Sequence, residues 1–265
     1  MSQTIEDLLG RRALIGGASH GIGRACAVEI AARGADVTLL ARDEKTLADV
    51  VSALPRSGDQ THGFLAVDFA EPKSLGEAVR EHIEATGAVH VLINNTGGPA
   101  SGPLLDATSD HLIEGITKHV LAFQAMVQAA VPGMKAEQYG RIINIISTSV
   151  LLPIQGLGVS NTTRGAVANW GRTLAGELGP FGITVNNILP GFTATERLTS
   201  LLSKKATRLG TSLEAVEEQA KAGIPMGRFA DAREIGAVVA FLASPAASYL
   251  SGVNLPVDGA RTAVQ

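Results

Sequence analysis

Residues 16–23 read "GGASHGIG", four glycines between an apolar run and a helical pattern. A turn this rich in glycine lets backbone N–H groups approach a phosphate at the positive end of a helix. The spacing, Gly17-x-x-x-Gly21-x-Gly23, is not the commoner GxGxxG, and a turn that binds nothing would look the same. The second apolar run ends "LLAR", placing Ala41 and Arg42 where an acidic residue would hold adenosine ribose hydroxyls and repel a 2′-phosphate. A guanidinium there favours the phosphate. The pair therefore points to NADP(H), with NAD as the alternative. His20, inside the glycine turn, stands either against a phosphate or in solvent. Asp68 closes the third run, to accept from an adenine amino group or to cap the next turn.

Such residues need a scaffold, and the chain alternates short apolar runs with longer helical stretches. The strand candidates are "RALIGG", "DVTLLAR", "THGFLAVD", "VHVLINN", "RIINIIS", "ITVNNILP" and "VNLPVD". Between them, patterns such as "GIGRACAVEIAARG" and "DAREIGAVVAFLAS" repeat apolar residues at helical spacing. Continuous apolar strands separated by helices imply an α/β fold, a parallel sheet covered on both faces. No linker or repeat divides residues 1–265, so one domain is expected. The polar stretch 195–224 breaks the alternation, reading as two short helices placed to form a substrate lid.

Composition narrows the function classes. The 265 residues are 45% hydrophobic with 30 glycines, enough for a large core with many tight turns. A formal charge of −3 gives no reason to expect a nucleic-acid or anionic-membrane partner. No apolar run reaches the roughly 20 residues needed to span a bilayer, and "MSQTIEDLLG" lacks a signal pattern. A cytoplasmic protein is expected. Cys26 is the single cysteine, expected to be small and buried, so no internal disulfide or cysteine metal site forms. The six histidines show no metal-ligand spacing, so no metal is expected.

With "GGASHGIG", "NNTGG" (94–98), "GRIINIIS" (140–147), "LPGFTAT" (189–195) and "SGVNLPVDG" in order, the chain resembles the short-chain dehydrogenase/reductase family from about residue 10 to 259. The resemblance implies a Rossmann-type doubly wound sheet of seven strands, a nicotinamide cofactor and usually a homotetramer. It also implies that Gly17, Ser19, Ile22, Asp68, Asn95, Gly97, Gly191, Thr193 and Thr195 line the cofactor. Family members normally use Asn, Ser, Tyr and Lys, the last two spaced YxxxK. Ser147 matches the serine that orients the substrate. The tyrosine position falls on Ser160, the lysine position on Arg164 and the asparagine position on His119.

Residues 160 and 164, being i and i+4, share one helix face. Arg164 can donate to ribose hydroxyls and hold a fixed charge, but with a pKa above about 12 it is no base. Ser160 is a far weaker acid than tyrosine. Tyr139 falls before the fifth strand, the wrong end for a ligand, and Tyr249 reads as a packing residue. His119 titrates near neutrality, and either it or a water on Ser160 would deliver the proton; the alternative for His119 is a helix histidine hydrogen-bonded to a backbone carbonyl. These readings give an atypical NADP(H)-dependent oxidoreductase acting on a small carbonyl or secondary alcohol. The alternatives are a silent subunit supporting an active paralogue in a hetero-oligomer, and a hydrolase or isomerase using Ser147 and His119. The helix carrying "RGAVANWGRTLAGEL" presents small and apolar residues on more than one face, so a dimer or tetramer is expected. Trp170 on that helix is expected in the core or a subunit contact.

Overall fold

The computed structural model describes residues 7–264; most of the acidic opening segment, residues 1–6, lies outside them. All seven strand candidates form strands: β1 (Arg12–Gly16), β2 (Asp36–Ala41), β3 (Gly63–Ala66), β4 (Val91–Asn94), β5 (Gly140–Ile145), β6 (Ile183–Pro190) and β7 (Asn254–Val257). They form one parallel sheet in the order β3-β2-β1-β4-β5-β6-β7. Successive side chains point to opposite faces, and here both faces are apolar. Ile15, Ile93, Ile143 and Ile188 enter one core; their neighbours Leu14, Leu92, Ile142 and Leu189 enter the other. This two-sided burial is why the strands read as unbroken apolar runs.

Helices cover both faces. On one side α1 (Gly21–Ala31) and α2 (Glu44–Ser52) supply Ile30 and Leu47, and a C-terminal helix at Ala232–Ala243 supplies Ile235 and Val239. Gly236 lets that last helix lie close to α1, since a Cβ there would stand 2.9 Å from the Ala25 carbonyl oxygen. On the other face lie α3 (Pro72–Thr86), α4 (Ser109–Ile116), α5 (Ala122–Ala136) and α6 (Gly158–Leu178). Phe123, Met126 and Val167 from α5 and α6 fill that core, all fully buried. Trp170 sits between these helices, its indole donating to Gln124 Oε1 at 2.7 Å.

The expected interruption consists of α7 (Glu196–Leu209) and α8 (Leu213–Ala222). Leu198, Leu202, Ala206 and Val216 give these helices a small core of their own, apart from the sheet. The C-terminal helix above, now α9 (Ala232–Ala243), starts on a capping box between Asp231 and Glu234. Tyr249 departs from expectation. It follows the short turn after α9 and is fully exposed rather than packed. Cys26 is buried as expected, and desolvation pushes its thiol up to about 12.

A row of amides crosses the sheet. Asn94 donates to Asn144, Asn144 to Asn187 and Asn187 to Asn254, each at 2.8 Å. Four adjacent strands, β4 to β7, contribute one asparagine each. Gly171 on α6 packs over the row, where a Cβ would stand 2.8 Å from the Asn144 and Asn187 side chains. Sequence reading missed this row, although asparagine recurs in four consecutive strand candidates.

Candidate active site

Strand order reverses between β1 and β4, and in doubly wound sheets the crevice forms beyond the carboxyl ends of such a pair. Two loops meet there. The Asn95 side chain donates to the carbonyls of Gly16 at 3.0 Å and Gly17 at 3.3 Å, tying the loop after β4 to the glycine turn. A Cβ on Gly17 or Gly23 would come within 2.8 or 2.9 Å of the Asn95 amide nitrogen. Gly17 and Gly21 also hold φ of +56° and +54°, backbone that favours glycine. Room for Asn95 is thus one reason for the glycines. Gly97, by contrast, has nothing within 4 Å of a built Cβ, so its backbone is open to a ligand.

The remaining expected cofactor residues divide into open and committed groups. Arg42 is exposed at the end of β2 and makes no ion pair among the described residues. The neighbouring Asp43 is engaged as the α2 cap, accepting from the Thr46 amide and hydroxyl, which holds its carboxyl below the usual range. Asp43 therefore stays ionised, but bound as the α2 cap rather than as a partner of Arg42. His20 is exposed at the start of α1, close enough to Asp43 to bias its charge. Ser19 is half-buried, while Ile22 leans on the core. Asp68 Oδ1 accepts from the Ala70 amide at 2.9 Å, the turn-capping alternative, leaving Oδ2 free.

Gly191 is tight against Asp258, whose Cβ would lie 2.7 Å from its own. Thr193 is buried and donates to the Gly191 carbonyl. Thr195 caps α7 by accepting from the Leu198 amide, and its methyl group faces Gly21 at 3.2 Å from a built Cβ. The start of the α7–α8 segment thus touches the glycine turn. A nicotinamide nucleotide fits this set: an open glycine edge, an exposed guanidinium and threonines at the facing loop.

The reacting end lies where β5 and α6 meet. Ser147 follows β5, and its Oγ accepts from the Ser149 amide at 3.0 Å. That bond uses a lone pair and leaves the hydroxyl proton free for a substrate oxygen. Ser160 and Arg164 lie in the first two turns of α6, both buried. Arg164 Nη1 donates to the Ile145 carbonyl at 2.9 Å, anchoring the guanidinium beneath the end of β5. Burial, with Arg197 nearby, pulls its pKa down to about 10, below the range expected from sequence but still charged at neutral pH.

His119 sits on a π-turn (Thr117–Leu121) joining α4 to α5, a distortion frequent at functional sites. Its ring is fully buried, with Nδ1 3.0 Å from the Gly115 carbonyl oxygen. A carbonyl only accepts, so Nδ1 carries the proton and neutral Nε2 is an acceptor. Nε2 has no partner among the described residues. Desolvation first, then the Arg164 charge, lowers this imidazole to about 3. The backbone-bonded alternative for His119 is thus the one that forms, and a proton donor at Nε2 does not match this tautomer. Nor does a Ser–His hydrolytic pair, because Ser147 and His119 share no hydrogen bond.

Of the tyrosines, Tyr139 is at the opposite end of the sheet, donating to the Ala243 carbonyl and stacked between Arg11 and Arg141. Neither it nor Tyr249 replaces the missing one. Sequence reading also passed over Arg197, in the first turn of α7, whose Nη2 donates to the Pro99 carbonyl at 2.7 Å. Among the described residues no His, Cys, Asp or Glu cluster suited to a metal occurs, and no helix is long and apolar enough to cross a membrane.

The comparisons agree with this geometry. A family profile described as enoyl-(acyl carrier protein) reductase matches residues 17–261. A short-chain reductase protein, NovJ, of Streptomyces niveus is 34% identical over 251 residues, covering 94% of this chain and 93% of that protein. The crystal structure of L-sorbose reductase from Gluconobacter frateurii, complexed with NADPH and L-sorbose, superposes with a TM-score of 0.89 at 29% identity, covering 96% of this chain and 97% of that one. NAD+-bound xylitol dehydrogenase superposes at 0.88 with 27% identity, covering 95% and 99%. A single seven-stranded domain, a glycine-rich turn at the switch point and a profile match along most of its length place the chain in the short-chain dehydrogenase/reductase family.

Proposed function

We propose that the protein is an NADP(H)-dependent oxidoreductase interconverting a small carbonyl compound and a secondary alcohol through an altered catalytic set. The observation that carries this is Ser147, whose hydroxyl proton is free two residues beyond the Ile145 carbonyl that anchors the buried cation Arg164. The nicotinamide cofactor supplies or accepts the hydride when bound. Gly17, Ser19, His20, Ile22, Asn95, Gly97, Thr193 and Thr195 would form its cradle, with Arg42 facing the 2′-phosphate and Asp68 the adenine. L-sorbose reductase with NADPH supports the phosphate-bearing form; NAD+-bound xylitol dehydrogenase keeps NAD as the alternative.

In the reductive direction Ser147 donates to the substrate oxygen and fixes the carbonyl. Arg164 holds the ribose hydroxyls, and its charge lowers the cost of negative charge growing on that oxygen. The proton reaches the oxygen from a water held at the Ser160 hydroxyl. His119 stays neutral, bonded through Nδ1 to the Gly115 carbonyl, with Nε2 an open acceptor at the α4–α5 junction packed against α6. No other enzyme class is favoured by the geometry.

A second reading has its own observation: neither His119, held neutral, nor Arg164, held charged, can serve as an ordinary acid near pH 7. A silent subunit, keeping fold and nucleotide beside an active paralogue, would look the same. Either version assembles as an oligomer, a reading supported by Ile113 and Leu121, exposed along α4 and its junction with α5. Nucleotide titration followed by a ketone screen separates the two readings. NADPH binding with turnover supports the enzyme; binding without turnover of any carbonyl, and recovery of a related chain from the native host, supports the subunit.

A further inference from the structure

Arg164 and Arg197 converge on one small volume. A Cβ built on Gly98 would lie 3.5 Å from Arg164 Nη2 and 3.4 Å from Arg197 Nη2. Those distances leave the two nitrogens within about 7 Å of each other; Arg164 is buried and Arg197, in the first turn of α7, is exposed, so solvent screens part of their repulsion. Yet neither arginine has a counter-ion: none of the ion pairs among the described residues includes them. Arg164 is 9% exposed, and its one protein hydrogen bond uses Nη1. Its Nη2 is left to face Gly98. Arg197 spends one bond of Nη2 on the Pro99 carbonyl and keeps its other N–H groups unpaired.

The buried Arg164 guanidinium has no anion beside it, and after burial itself the charge of Arg197 lowers it further. A carboxylate accepts from an arginine at about 2.7–2.9 Å and can do so from both of its oxygens. One carboxylate therefore spans the gap between these two nitrogens. Gly98 leaves the space clear, because any side chain there would enter it. The cofactor's own phosphates belong at the glycine turn, where Gly21 meets Thr195, not at Gly98.

We propose that Arg197 and Arg164 form a clamp for a carboxylate on the substrate, so that the protein takes an oxo acid or the corresponding hydroxy acid. This rests on the oxidoreductase reading for what happens to the carbonyl, but the clamp itself is a binding site. Arg197 selects the substrate; Arg164 serves both the ribose and the carboxylate edge.

The test is calorimetric titration of NADPH-saturated protein with 2-, 3- and 4-oxo acids and with their methyl esters, alongside NADPH oxidation. At least one acid should bind ten-fold or more tighter than its ester. Arg197→Met should weaken that acid at least twenty-fold while leaving NADPH affinity and Tm unchanged, and Arg197→Lys should restore part of it. Esters binding as well as acids, no acid binding at all, or Arg197→Met leaving acid affinity intact would each overturn the clamp. Weaker NADPH binding in Arg197→Met would assign the arginine to the cofactor and overturn it too. Acid binding without NADPH oxidation leaves the clamp standing and removes the oxidoreductase reading instead.

Discussion

The buried histidine makes a quantitative prediction about pH. His119 has a native pKa lowered to about 3, whereas in the unfolded chain it titrates near 6.5. The unfolded state therefore gains a proton that the native state refuses. Stability from this group is intact at pH 7 and above, and is lost progressively as pH falls from about 6.5 towards 3. Integrating between pH 7 and 4.5 gives a loss of about 2.5 kcal/mol, a figure nearly insensitive to where below pH 4 the native pKa lies. Buried His62 and His90 and half-buried His82 are also lowered, chiefly by desolvation, and steepen the same slope. To isolate His119, the wild type is compared with His119→Asn, which does not titrate and keeps an N–H for the Gly115 carbonyl. Urea unfolding at several pH values should show the variant gaining about 2.5 kcal/mol relative to wild type between pH 7 and 4.5. Two curves that stay parallel over that range would mean that His119 takes a proton in the folded protein. The neutral acceptor at Nε2 would then be wrong.

Three further outcomes are expected. NADPH should bind at least several-fold tighter than NADH, and Arg42→Ala should erase most of the difference in calorimetry; equal affinities in the wild type would count against the 2′-phosphate assignment. Ser160→Tyr with Arg164→Lys restores the family pattern, and should raise turnover of simple neutral ketones if proton delivery limits the native site. No gain in NADPH oxidation would indicate chemistry adapted to the present residues. Asn144→Ala strands the Asn94 amide and the Asn187 carbonyl, two buried groups costing about 1–3 kcal/mol each. A loss below 1 kcal/mol in urea unfolding would show that the amide row adds little.

The strands were legible because both faces of the sheet are buried, so Ile15 beside Leu14 and Ile93 beside Leu92 give runs that only a two-sided sheet explains. That Ser160 and Arg164 lie one turn apart on a single helix was legible too, being fixed by helix geometry within four residues. What failed depends on distance in sequence or on local irregularity. Nothing in "TKHVLAF" announces a π-turn, and the tautomer of His119 is set by the Gly115 carbonyl that the turn presents. Arg197 was missed because its partner, Pro99, is 98 residues away. Asn144 and Asn187 read as polar interruptions of apolar strands. Their satisfaction lies on neighbouring strands, and single-strand periodicity carries no information about it.

That row of asparagines also sets a common level for the site. In the register of the sheet Asn94 stands opposite Asn144, Asn144 opposite Asn187 and Asn187 opposite Asn254. A strand that slipped by one residue would turn its asparagine to the other face, into isoleucines, and orphan two amides. Parallel strands pair late and across long separations, so such slips are the errors this topology is exposed to. The amides reject them. They also act as a datum from which the loops above are measured: β4 raises Gly98, β5 raises Ser147, and β6 raises Thr193 and, beyond it, Arg197. One residue of slip shifts a strand end by about 3.3 Å, enough to part Arg197 from Gly98. The alignment of the two arginines is thus decided several residues below them, by side chains that no substrate meets.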